Sequence, residues 1–84
     1  MNPLDELRAE YRAELPAKLA HLRELLTKGQ LKDLHRALHT LAGSAGTFGL
    51  PAVGEAAREA EACCEAGHAE RLAALIDAIG AKAA

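Results

Sequence analysis

The chain has 84 residues and a formal net charge of −2, with acidic and basic side chains interspersed, which excludes the basic footprint of a nucleic-acid binder. Half of the residues are apolar, mostly Leu and Ala, with one Phe, one Tyr and no Trp; this is a helix former's composition with little for β-strands. No apolar run approaches the roughly 20 residues of a membrane span, and the first residues lack the basic-then-apolar pattern of a leader, so a single, monomeric, cytoplasmic domain over residues 1–84 is expected.

Asn2-Pro3-Leu4-Asp5 predicts a helix start, since Asn2 can cap, Pro3 suits the first turn and Asp5 favours the positive end of the dipole. Leu4, Leu7, Tyr11 and Leu15 mark one face of this short first helix. Pro16 lacks a backbone donor and disfavours helix at Leu15, so a break or kink is expected there. A second helix carries Leu15, Leu19, Leu22 and Leu26 and stops at Gly29. Leu31, Leu34, Leu38, Leu41 and Ala45 define a third, running into the turn at Gly46-Thr47-Phe48-Gly49, where Phe48 plugs one end of the core.

Leu50-Pro51 opens a fourth helix whose inner face is Val53, Ala57, Ala60 and Cys64, small enough for close approach, and Gly67 ends it. Leu72, Leu75, Ile76 and Ile79 line a fifth, closed by Gly80. Short linkers force successive helices antiparallel. The expected fold class is all-α: an antiparallel up-down four-helix bundle with an additional short N-terminal helix across one end. Cys63 and Cys64 are adjacent on a helix, where side chains diverge by about 100°, so two buried reduced thiols are expected rather than a disulfide.

The run from His39 to Gly49 is the candidate site. Glycine in a helix interior costs roughly 1 kcal/mol against alanine, so Gly43 and Gly46 need a compensating gain. At 100° per residue His39 lies about 140° from Leu34 and about 160° from Leu41, facing away from the core stripe. His35, Ala42, Gly43 and Gly46 share that side. The small residues then clear space around an exposed imidazole, so that another protein can bring a reactive group to it. Ser44, inside the same pattern, is assigned a packing or capping role.

His35 and His39 also form an HxxxH pair, but Arg36 stands where the zinc-protease motif needs Glu, and no third ligand has a sequence signature. No metal or cofactor bound by this chain is expected. Neither a phosphate-cradling glycine loop nor a GxSxG nucleophile occurs, so the chain is not read as an enzyme acting alone.

His39-Thr40-Leu41-Ala42-Gly43-Ser44-Ala45-Gly46-Thr47-Phe48-Gly49-Leu50 resembles the signature of histidine-containing phosphotransfer (HPt) domains, roughly His-x-[Leu/Ile]-Lys-Gly-[Ser/Gly/Ala]-[Ala/Ser]-x-x-x-Gly. The Ala45–Gly49 portion is especially similar to the phosphorylated domain of chemotaxis histidine kinases, and the likeness extends from Leu15-Pro16 to the closing helix. The resemblance implies a four-helix bundle with His39 as phosphoryl acceptor, exchanging phosphate with a receiver-domain aspartate or a histidine kinase. It implies that Gly43 gives steric clearance and that Glu61, twenty-two positions after His39, hydrogen-bonds the imidazole. Mg²⁺ is expected on the partner receiver, not on this chain.

Imidazole suits this task as a neutral nucleophile near pH 7. A carboxylate accepting from one ring nitrogen fixes the tautomer and leaves the other to attack. One departure stands out: the family's Lys three residues after the His is Ala42 here. Arg36 and Arg58 are the candidates to neutralise phosphate in its place, and Lys32, Arg36 and Glu65 are expected to rim a small apolar contact. A free-standing phosphorelay protein is favoured by the initial Met and the end soon after the last helix. The alternatives are an interaction module of this fold that has lost phosphotransfer, and a metal-binding helical bundle.

Overall fold

The computed structural model describes residues 2–83. Four helices follow one another: α1 (Pro3–Thr27), α2 (Leu31–Thr47), α3 (Pro51–Glu65) and α4 (Ala69–Ala83), with no strand among the described residues. The start of α1 forms as its sequence dictates, with the Leu4 amide donating to Asn2 Oδ1 at 3.0 Å and Pro3 in the first turn. The three connections share one device. Gly29, Gly49 and Gly67 adopt φ of 70°, 74° and 80°, a left-handed conformation in which glycine carries no Cβ penalty. The amide of the next residue then reaches back to a carbonyl inside the helix just ended: Gln30 to Leu25, Leu50 to Ala45 and His68 to Cys63.

The expected break at Pro16 does not occur, and with it the additional short N-terminal helix disappears. α1 runs unbroken for 25 residues with Pro16 inside it. An interior proline costs about 3 kcal/mol. Tyr11, Leu15 and Leu19, on either side of it, are each at most 6% exposed. Burying each such side chain is worth about 1.5–3 kcal/mol, and one continuous helix secures all three, while Pro16 itself faces solvent.

The same length explains a second difference. α2 to α4 have 17, 15 and 15 residues, so the first two turns of α1 extend past their neighbours, and Leu4 and Leu7 are exposed rather than lining the core. Gly80 does not close the last helix either. α4 continues to Ala83, and a Cβ at Gly80 would come within 3.3 Å of Leu19 Cδ1, so this glycine serves the packing of α4 on α1.

The remaining stripes meet in a single apolar cluster, with Leu15, Leu34, Leu38, Val53, Leu72, Ile76 and Ile79 almost completely buried. Pairings between α2 and α3 run in opposite senses along the two helices. Cys64 Sγ donates to the Leu31 carbonyl at 3.3 Å, Glu61 faces His39, and Gly54 abuts Ala42 and Gly46. Between α1 and α4, Arg23 pairs with Asp77 at 3.1 Å while Leu19 meets Gly80. Cys63 and Cys64 are both buried and reduced.

Candidate functional site

The second half of the candidate run is fastened to α1. The Tyr11 and Phe48 rings stack with centroids 4.8 Å apart, so Phe48 closes this end half-buried against a ring rather than as an isolated plug. Tyr11 Oη and Ser44 Oγ share a hydrogen bond of 2.7 Å, and Arg8 Nε donates to the Phe48 carbonyl at 3.1 Å. Ser44 thus has the packing role its place in the helix suggested, and Lys18 Nζ lies 4.2 Å from the Tyr11 ring centroid. These contacts tie the turns of α2 that follow His39 to α1.

His39 projects from α2 with 75% of its side chain exposed. Its Nδ1 lies 2.8 Å from Glu61 Oε2 on α3, and the Glu61 side chain is only 19% exposed. With the carboxylate as acceptor, the neutral ring carries its proton on Nδ1 and has the Nε2 lone pair free. Gly43, one turn on, and Gly46 leave open space: a Cβ at either would meet nothing within 4 Å. Nothing inside the fold calls for glycine at these positions. The helix-weakening residues form a gap that faces outward, next to the imidazole.

Ala42 is the exception among the small residues. Expected on the open side with His39, it is 3% exposed and packed toward α3. Three residues after His39 it is rotated by about −60° on the helix, which is the side on which α3 crosses. The crossing is close because Gly54 has no side chain, and a Cβ there would stand 3.2 Å from the Ala42 carbonyl oxygen. The small residues of α3 are legible in the sequence, but that Gly54 abuts the α2 backbone is not.

The two arginines lie on separate flanks. Arg36 is exposed on α2 and lines a groove of about 600 Å³ between α1 and α2, together with Lys18, His21, Thr40 and Ser44. Arg58 is exposed on α3, one turn before Glu61, at a level between the Glu61–His39 and Gly54–Ala42 pairings. Neither arginine enters an ion pair among the described residues. Lys32 and Glu65 are exposed as well.

His35 sits one turn before His39 and is turned inward. Its side chain is 34% exposed, yet its Nε2 is shielded from solvent, lies 3.5 Å from Glu61 Oε2 and makes no hydrogen bond. The i, i+4 spacing of two histidines on one face carried this signal, but which helix lay beside that face was not in the spacing. Among the described residues no group of three or more His, Cys, Asp or Glu side chains is arranged to hold a metal ion.

The geometry therefore offers an oriented, exposed nucleophile with a clear approach and a carboxylate behind it. The family model of the Hpt domain matches residues 6–83, essentially the whole chain. Comparison with curated proteins and with solved structures returned no significant match.

Proposed function

The chain belongs to the Hpt domain family, and we propose that it is a phosphoryl carrier of a two-component phosphorelay, accepting and donating phosphate at His39. The observation that carries this reading is the His39–Glu61 pair, with Nδ1 2.8 Å from the carboxylate on a ring that is 75% exposed, one turn before the open space at Gly43. In the forward direction Nε2 attacks the phosphorus of a receiver's aspartyl phosphate. The N–P bond forms, the carboxylate O–P bond breaks, and the aspartate leaves as carboxylate. The ring becomes a cation whose Nδ1–H stays donated to Glu61, which stabilises that charge in the way a carboxylate supports a catalytic histidine. Return of the phosphoryl group reverses each step.

Phosphoryl transfer calls for positioning and charge neutralisation more than for covalent help. The antiparallel bundle supplies position. The partner receiver supplies Mg²⁺, and Arg58 and Arg36 flank the incoming phosphate where Ala42 offers no cation. The chain is a substrate and carrier in this scheme, one half of an active site completed in a transient complex, with no kinase activity of its own.

A second reading, an interaction module of the same fold without phosphotransfer, is favoured by one observation: the position where the family resemblance expects Lys is a buried alanine. Incubation with phosphorylated receiver domains and Mg²⁺ separates the two. Acid-labile, alkali-stable label is expected on the wild-type chain, lost in His39→Gln and kept in His35→Gln. Label retained in His39→Gln, or lost equally in both variants, overturns the assignment to His39.

A further inference from the structure

We propose that His35 is a positioning residue of this site: its Nε2–H is directed at Glu61 Oε2 and holds that carboxylate against Nδ1 of His39. One oxygen serves both rings, 2.8 Å from His39 Nδ1 and 3.5 Å from His35 Nε2. The histidines stand one turn apart on α2, and Glu61 reaches them from α3.

The tautomer of His35 follows from its surroundings. Nε2 is shielded from water and has no hydrogen-bond partner. With the proton on Nδ1, the Nε2 lone pair would face the lone pairs of a carboxylate at this distance with no water between. With the proton on Nε2, a donor faces an acceptor, and a slight rotation of either side chain closes the bond. A buried donor beside a carboxylate takes the second arrangement.

Glu61 depends on this help. Among the described residues no lysine or arginine pairs with it, and the side chains within ion-pair distance of its carboxylate are the two imidazoles. A glutamate has several rotamers to lose, and a single bond to a ring that is 75% exposed is a weak restraint. A second donor on the shielded side selects the rotamer that puts Oε2 at Nδ1. That in turn keeps the His39 proton on Nδ1 and Nε2 free. In metal sites, partners that act through the group touching the reactive centre typically change activity by 10–100-fold, and an effect of about that order is expected here.

The kinetic consequence rests on the phosphotransfer reading of His39; the geometric one does not. Nitrogen-15 NMR of the full chain reports the tautomer of His39, and transfer from a phosphorylated receiver reports the rate. Wild type is expected to show His39 protonated on Nδ1. In His35→Phe and in His35→Ala, which removes the donor without adding volume, His39 becomes a mixture of tautomers. The maximal transfer rate falls about tenfold while the half-saturating receiver concentration stays unchanged. His35→Gln, which keeps an N–H donor at the end of the side chain, restores both. An unshifted tautomer and rate in the Phe and Ala variants overturns the proposal, as does a Gln variant as impaired as they are. Absence of label on wild type would sink the phosphotransfer reading alone, since the tautomer comparison needs no phosphate.

Discussion

A Cβ on Gly54 would stand 3.2 Å from the carbonyl oxygen of Ala42, so the crossing of α3 over α2 is set by a missing side chain one residue deep. The backbone there has no flexible group to yield. Gly54→Val is expected to lower stability by about 1–3 kcal/mol, the usual penalty for overfilling a packed contact. Urea unfolding followed by circular dichroism measures it. A stability equal to wild type would show that the two helices can separate freely at this point.

Gly43 is the opposite case. A Cβ there meets nothing within 4 Å, so Gly43→Ala should stabilise the chain by about 0.5–1 kcal/mol through helix propensity alone. Gly43→Lys should fold equally well and still fail to take phosphate, because a long side chain fills the approach to His39. Unfolding curves and receiver-dependent labelling separate the two effects, and normal transfer in the Lys variant refutes the clearance argument.

Glu61 holds the imidazole at 2.8 Å with a side chain only 19% exposed. Glu61→Ala should slow transfer by about 10–100-fold with the helical content unchanged. Wild-type kinetics in that variant would remove Glu61 from the mechanism.

Pro16 faces solvent inside α1, where an interior proline forfeits a backbone hydrogen bond. Replacement recovers about 3 kcal/mol of helix energy, less up to about 1 kcal/mol because the unfolded chain becomes more flexible. Pro16→Ala is therefore expected to raise stability by about 2 kcal/mol in thermal or urea unfolding. Unchanged or lowered stability would indicate that the proline's local geometry serves the packing of Leu15 or Leu19.

Burial raises the Cys64 thiol above its ordinary value of 9.0, with the Glu65 carboxylate adding to the effect. A raised folded-state value means that this contribution is complete below about pH 9 and declines as pH climbs through the folded value. The alkaline loss of stability should accordingly be smaller in Cys64→Ala than in wild type, measured by urea midpoints between pH 8 and pH 10 as an order-of-magnitude window. Parallel curves for the two proteins would contradict it. At neutral pH the thiol should resist alkylation until the chain unfolds.

Much of this molecule follows from local chemistry. Leucines at helical spacing along 15–22 and 34–41 placed two core stripes, although Leu25 and not the expected Leu26 is buried at the end of the first, and Gly29 and Gly67 marked two helix ends, because periodicity and left-handed glycine conformation act within a few residues. The exposed direction of His39 and the outward gap at Gly43 were legible for the same reason, since both depend on rotation around a single helix. The family motif also pointed to Glu61 as the partner of His39. Three matters were decided only in three dimensions. Whether Pro16 ends a helix depended on what Tyr11, Leu15 and Leu19 could bury on both sides of it. Whether Ala42 faced the site or the core depended on where α3 crosses α2, and that crossing rests on Gly54. His35 became a neighbour of Glu61 by the same crossing: the sequence alone put His35 and His39 on one face, and packing against α3 put a shared carboxylate between them.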